Sequence, residues 1–431
     1  MNMKRYDTYK PSGIAWIGEV PEHWDLKKIK FCFDVYAGAT PKTENPDNWD
    51  GDIVWVTPAD YKTEDKFIKG GQRTITKQGY DSCNTQLVPV GSIIFSKRAP
   101  IGTVALNDVE LCTNQGCLSC VPKGTNSTYY YYVMSISTEW FDLLGSGATF
   151  KEISADNFSN VKLPFPPLAE QEAIAAYLDV RCADIDKVVA TQQKRIALLQ
   201  ELKQSEITHA VTRGLNPDAR MKDSGVEWIG MVPEHWEVRR IKFSCQVTDG
   251  THFSPPTTKE GMPYITVSNV YDDIIDLENA NRISEKDFLD LVKQGCQPQV
   301  GDVLLAKDGT VGRTAIVRDN QFVALSSLGI LHPMEGLSSN FLKYSLDSQF
   351  LQEQMKAAMA GSALRRITIS KICEFVSFIP PTDEQNDIVE HLDRRCGEID
   401  KQIGAVTRQI ELLREYKQAL ITEVVTGKRR V

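Results

Sequence analysis

The chain has no run of apolar residues near the ~20 needed to span a bilayer, so a transmembrane helix is excluded. The leading MNMKRYDTYKPSG carries charges but no apolar core, which excludes a secretory signal and makes a cytoplasmic protein the expectation. Ten cysteines are scattered rather than framed, as suits reduced thiols and not a disulfide scaffold. Six histidines form neither HExxH nor a paired zinc spacing. There is no G-x-x-x-x-G-K-[ST], which argues against a P-loop ATPase or translocase. No G-x-G-x-x-G follows a candidate strand, and no NPP[YF] or DPPY tetrapeptide offers an amino-methyltransferase site. A strong basic excess is also missing. The net charge is −8, which speaks against coating nucleic acid non-specifically yet leaves room for local basic faces.

What is present is a chain written twice. Residues 12–31 read SGIAWIGEVPEHWDLKKIKF and residues 224–243 read SGVEWIGMVPEHWEVRRIKF, with thirteen of twenty positions identical at an offset of 212. Residues 166–212 align with 380–426, 22 of 47 being identical. The stretches between these blocks match weakly. A repeated frame with varied inserts implies one operation performed on two different targets. At 431 residues, roughly two to four domains are expected.

The frame contains two long helices. After Pro166-Pro167, apolar residues recur through Leu178, Cys182, Ile185, Val189, Ile196 and Leu199. After Pro380-Pro381 they recur through Leu392, Cys396, Ile399, Ile403, Val406, Ile410, Leu413 and Leu420. Spacing near 3.5 over several heptads is a coiled-coil seam. Glu170 and Glu384 fall in the first turns, where the helix dipole favours acid, and Thr382 with Gln385 has capping-box spacing. Gly214 and Gly427 are the expected stops. Each seam needs a partner, and the other copy supplies it. A globular insert joins the end of one helix to the start of the next, which predicts antiparallel helices. The expected architecture is α+β, with a mixed α/β domain at each end of a two-helix coiled coil and an approximate two-fold axis. Polar Gln192 stands where the second helix has Val406, and it either fixes register or faces another helix.

The inserts share a weaker pattern. Val90-Gly91-Ser92-Ile93-Ile94-Phe95-Ser96-Lys97 matches Val300-Gly301-Asp302-Val303-Leu304-Leu305-Ala306-Lys307, and each reaches an [Ile/Val]-Gly pair. Val54–Thr57 and 264–267 read as matching strands, and 147–153 pairs with 361–367 before a further strand. Lys97, Arg98, Lys307 and Arg313 sit beside glycines that let backbone approach a ligand. With Lys151, Arg365 and Arg366 they are candidates for phosphate or guanine contact, and Asn114 and Gln115 for adenine. Turn chemistry and solubility account for such residues equally well. Basic clusters at 62–77 (Lys62, Lys66, Lys69, Arg73, Lys77), at Arg239, Arg240 and Lys242, and at Lys428–Arg430 read either as contact surfaces or as solvated faces. His23 and His235, in the repeated PEHW, read as packing beside Trp24 and Trp236. Cys112, Cys117 and Cys120 have a spacing found in some iron–sulfur sites but lack a nearby fourth cysteine, so a buried strand is preferred. Pro46-Asp47 with Glu64-Asp65-Lys66 resembles a PD…(D/E)xK nuclease pattern, which is short and absent from the second insert.

In their order, the VPEHW segments, the Lys/Gly loops, the G-x-x-(K/R)-x-I segments and the PPLAEQ and PPTDEQ helices resemble the DNA-specificity subunit of a type I restriction–modification system, over essentially the whole chain. The resemblance implies target-recognition domains at 1–162 and 215–378, with frame segments 12–31 and 224–243, and long helices at 163–214 and 379–431, the latter with its basic tail. It implies a non-catalytic subunit in which each domain reads half of a split, asymmetric site in double-stranded DNA. The helix pair would set the spacer and dock two methylation subunits, with Leu178, Ile185, Ile196, Leu199, Leu392, Ile399, Ile410 and Leu413 forming the coiled-coil and subunit interface. Restriction subunits would join further. S-adenosylmethionine, ATP and Mg would belong to those partners, with no cofactor or metal on this chain. DNA-contact candidates would be Arg73, Lys97, Arg98, Asn114, Gln115, Lys151, Lys307, Arg313, Arg365 and Arg366. A nuclease or methyltransferase acting alone, or a coiled-coil adaptor binding proteins, are the rival readings.

Overall fold

The computed structural model describes residues 5–62, 65–147, 151–226, 229–271, 273–360 and 366–431. Two compact units divide it: residues up to 191 with 408–431, and residues 192–407. The divisions fall inside the long helices, Leu168–Arg213 and Thr382–Val425, so each unit holds half of both.

The first unit is built on a five-stranded sheet ordered Phe33–Ala37, Cys117–Pro122, Ile93–Ser96, Val104–Asn107, Phe67–Ile68. Ile93, Ile94 and Phe95 are fully buried on both faces, as a continuous apolar strand requires. Phe95 packs edge-on to Phe141 and tilted against Phe158, with centroids 4.9 and 4.4 Å apart. A three-stranded sheet, Cys112–Thr113, Trp49–Val56, Arg73–Ile75, lies beside it in the chain. The segment around Cys112, Cys117 and Cys120 is therefore two strands broken by a turn at 114–116, not one. All three cysteines are buried, and burial pushes the Cys112 and Cys117 thiols up to about 12.

The second unit repeats the plan. Its main sheet runs Cys245–Asp249, Leu328–Pro333, Val303–Ala306, Thr314–Ile316, and its smaller sheet runs Asn281–Ile283, Met262–Ile265, Val323–Ala324. In both smaller sheets the long central strand takes one antiparallel and one parallel neighbour. The central strand then enters a 3-10 turn behind a threonine capping box, Thr57–Asp60 in one unit and Thr266–Asn269 in the other. Lys151 and Arg366 precede not a strand directly but a short helix, Ala155–Asn160 or Ile369–Glu374, and the strand follows it.

Within each unit the long helices run antiparallel. In the first, Leu178, Cys182 and Ile185 share a core with Leu420, Ile421, Val424 and Val425, and Lys417 pairs with Asp186 at 2.7 Å. In the second, Ile207, Ala210 and Val211 share a core with Ile388, Leu392 and Cys396. There Lys203 meets Asp400 at 2.7 Å and Arg395 meets Glu206 at 3.0 Å. Ile399 and Ile410 are buried, whereas Ile196, Leu199 and Leu413 are half-buried.

The repeated VPEHW and EQ motifs lock the sheets to the helices. Glu170, in the first turn of its helix, accepts bonds from His23 Nε2 (2.7 Å), Trp24 Nε1 (2.9 Å) and Tyr6 Oη (2.9 Å). Burial pushes the Glu170 carboxyl up, but those three bonds outweigh it and hold the group below its ordinary value. Glu384 takes the same bonds from His235 (2.7 Å) and Trp236 (3.0 Å). Gln385 completes no capping box with Thr382. Its amide donates to the Gly336 and Pro380 carbonyls and accepts from the Ser338 N–H, as Gln171 binds Pro166, Thr125 and Asn126. Gly214 and Gly427, both with positive φ, end the helices against Trp236 and Trp24.

Candidate nucleic-acid interface

One end of each main sheet gathers the matched Lys/Gly loop together with loops that differ between the copies. In the first unit, Ala37, Ser96 and Cys117 lie together at that end, because Ala37 opposes Leu118 and Ser96 opposes Cys117. The loops beginning at 38 and 97 and the 114–116 turn therefore emerge side by side. Gly38 is required there: a Cβ would lie 2.1 Å from the Asn114 carbonyl oxygen. In the second unit Asp249 opposes Gly329 and Ala306 opposes Leu328, and Gly250 occupies the same place as Gly38. Its Cβ would lie 2.2 Å from the Ala324 carbonyl oxygen. The match at 38 and 250 marks both loops, and the residues that follow differ.

The candidate side chains have distinct placements. Thr40 hydrogen-bonds Gln115 across the gap between two loops, and Asn114 Oδ1 accepts from Gly116 N at 2.8 Å. Lys97 is largely buried, with Nζ 3.4 Å from Glu152, and exposed Arg98 donates from Nε to the same carboxylate at 2.8 Å. The Arg98 bond, aided by Lys97, overcomes desolvation and holds the Glu152 carboxyl below its ordinary value. Lys151 pairs with Asp142 at 2.5 Å. Arg73 stands on the smaller sheet, its guanidinium 3.5 Å over the Trp49 ring.

Lys307 is only 1 % exposed, with Nζ 3.1 Å from Asp249 Oδ1. That placement leaves its ammonium committed to Asp249 rather than open to a ligand. Its backbone N–H donates to Ser327 and its carbonyl accepts from Ile367, as Lys97 binds Gly116 and Ile153. The repeated lysine is thus a clamp at the base of the loops. Arg366 Nε lies 3.1 Å from Asp308, and Arg313 is exposed on a cleft of about 1410 Å³ that it lines with Thr314, Lys343, Asp347 and Gln352. Arg365 lies outside the described residues.

Sequence reasoning missed the tip of the 250–258 loop. Thr251 Oγ1 accepts from Phe253 N (3.1 Å) and donates to Phe253 O (3.0 Å), while His252 Nε2 bonds Asp249 Oδ2 at 3.2 Å. The bracket leaves Phe253 65 % exposed. The repeated glycine before it was the available signal.

No cluster of three or more metal-ligating side chains exists among the described residues. Of the nuclease-like pattern, Lys66 is committed to Asp179 and to the Tyr132 ring, and Glu64 lies outside the described residues. No helix is long and apolar enough to cross a membrane among the residues described.

The family model for the type I restriction modification DNA specificity domain matches residues 21–200 and again 233–408. The chain belongs to that family. It is a specificity subunit, a non-catalytic component. It is 27 % identical to the type I restriction enzyme MjaIX specificity subunit of Methanocaldococcus jannaschii, over 96 % of this chain and 95 % of that one. It is 23 % identical to the EcoKI specificity subunit of Escherichia coli K12, over 95 % and 90 %. Two solved structures share the fold. One, from work on complex assembly and conformational transition of the type I R-M system, has a TM-score of 0.70 at 18 % identity and covers 94 % of this chain and 98 % of its own. The HsdS subunit from Thermoanaerobacter tengcongensis has a TM-score of 0.50 at 19 % identity, covering 95 % and 98 %.

Proposed function

We propose that each unit of this specificity subunit reads one half of a bipartite, asymmetric site in double-stranded DNA. The observation that carries the reading is the pairing of a matched frame with loops that diverge after Gly38 and Gly250 at the same sheet end. Base edges would be read by loop side chains, with Gln115 and Arg98 in one unit and His252, Phe253 and Arg313 in the other. Lys97 and Lys307 would hold those loops. The long helices would set the unread spacer and dock two methylation subunits. Leu198 and Leu202 on the first helix and Leu412 and Tyr416 on the second support this docking: they are exposed apolar pairs at i, i+4 and at matching repeat positions. The partners would supply S-adenosylmethionine chemistry on an adenine flipped from the duplex, and restriction subunits would supply ATP- and Mg-dependent steps.

The test is single-molecule sequencing of DNA from cells expressing this chain with its methylation subunit. A motif of two different short halves around a fixed spacer, methylated on adenine, is the expected result. An unsplit motif would contradict two separate readers, and no motif would favour a protein-binding adaptor.

A further inference from the structure

The smaller sheet of each unit is joined to the reading loops by the same hydrogen bonds. Ala39, next after Gly38, donates its N–H to the Thr113 carbonyl at 2.9 Å, and Thr251, next after Gly250, donates to that of Ala324 at 2.8 Å. The Asn114 N–H then reaches the Val56 carbonyl and the Leu325 N–H that of Ile265, both at 2.9 Å. These bonds make Val56 equivalent to Ile265, and so Trp55 equivalent to Tyr264. Trp55 opposes Arg73 and Tyr264 opposes Asn281 in antiparallel pairs. Arg73 and Asn281 therefore occupy one position of the repeat, where each begins an edge strand, Arg73–Ile75 or Asn281–Ile283. Direct cross-strand neighbours share a face, and Trp55 Nε1 donates to the Ala39 carbonyl at 3.0 Å. The position thus lies on the face that the first reading loop crosses, beside the loops.

Both residues are exposed, and neither side chain makes a hydrogen bond or ion pair among the described residues. Arg98 and Arg366, by contrast, are committed to Glu152 and Asp308. The Arg73 guanidinium rests on the Trp49 indole, which is edge-on to Trp55 at 5.2 Å. That support limits its freedom and leaves its N–H donors open to a ligand. Arg282, next to Asn281, alternates to the other face and is tied to the Gly261 and Leu277 carbonyls at 3.5 and 3.0 Å. Covering an indole accounts for an arginine in one unit, but not for an exposed, unpaired amide at the same place in the other. A phosphate contact would serve both units alike and would keep its charge, whereas a base reader changes with the base. We propose that this position determines specificity in both units. Arg73 reads a guanine through O6 and N7, and Asn281 reads an adenine through N6 and N7, each in the major groove. Trp49 and Trp55 are positioning residues for Arg73. The inference rests on the proposed function and deepens it by naming one base in each half-site.

The experiment is the adenine-methylation motif, by single-molecule sequencing, of cells expressing the full chain with its methylation subunit. It is joined to binding of the purified complex to duplexes in which single purines of that motif are 7-deaza analogues, which lack the N7 acceptor. The wild-type motif is expected to hold a guanine in one half and an adenine in the other. Arg73→Ala is expected to relax that guanine and to bind the intact site about tenfold more weakly, with no further loss on 7-deazaguanine at that position. Asn281→Ala is expected to do the same for the adenine in the other half. Arg73→Lys keeps a cation over Trp49 but not the planar fork, and is expected to relax the same guanine. Thermal unfolding is the folding control. A motif left intact by Arg73→Lys and Asn281→Ala overturns the inference while leaving the proposed function standing. Uniform weakening on all sequences, with a shallower salt dependence, overturns it in favour of a phosphate contact. A wild-type chain that yields no bipartite motif overturns the proposed function and the inference with it.

Discussion

Lys97 and Lys307 stand at one position of the repeat but find different partners, Glu152 and Asp249. Their identity was legible in the sequence, and their burial was not, because each partner comes from a distant segment. Lys307→Ala leaves the Asp249 carboxylate without its cation, and since Asp249 keeps some contact with water we expect a loss of ~1–3 kcal/mol. Chemical denaturation measures it, and adding Asp249→Asn should restore part of the loss. Arg313→Ala removes an exposed side chain and should shift stability by no more than ~0.5 kcal/mol while weakening one DNA half-site. Glu170 gives the clearest pH dependence. Its folded-state carboxyl lies below the ordinary value, so its stabilisation is fully present above the unfolded glutamate range and is lost as pH falls through the folded value. Glu170→Gln should be less stable than the wild type at neutral pH, with the gap closing below pH ~4 in acid-unfolding curves. A gap independent of pH would contradict this. His23 and His235 read as packing residues, and they also bond the helix-start carboxylates, a link that the adjacent motifs alone do not disclose.

At the scale of elements, both long helices were legible because their periodicity is local, and the structure gives them 46 and 44 residues. Their ends were readable from Gly214 and Gly427. The role of Gln385 was not, because one acceptor, the Gly336 carbonyl, and its donor, the Ser338 N–H, lie on a distant loop and not on the helix. The seam explains Gln192 in part: its Oε1 is buried and has no hydrogen-bond partner among the described residues. Gln192→Leu should therefore stabilise the chain, by about 1 kcal/mol in urea unfolding, because it removes an unpaired polar atom. A destabilised variant would mean that the amide is satisfied in solution. The central strands of the main sheets followed from their continuous apolar runs, but strand order depends on pairings between distant segments. The loops after Gly38 and Gly250 escaped notice for the same reason: close approach to Asn114 and Ala324 is a tertiary fact. Gly38→Ala should displace its loop from the Asn114 carbonyl and impair recognition of one half-site, measured as binding to DNA altered in either half. Equal loss on both halves would contradict the assignment.

For the whole molecule, the internal repeat carried most of the inference. Duplicated anchors, Glu170 with Trp24 and Glu384 with Trp236, tie each unit to the start of one long helix, and Gly427 and Gly214 bring in the end of the other. Each unit thus holds a sheet, a loop cluster and halves of both helices. That organisation makes independence of the two readers the central claim. The most direct measurement is the adenine-methylation motif, by single-molecule sequencing, of cells carrying Gln115→Ala or Phe253→Ala with the methylation subunit. The account predicts that each variant relaxes or shifts bases in one half only, a different half for each, with the spacer unchanged. Both variants altering the same half, or both halves together, would contradict it.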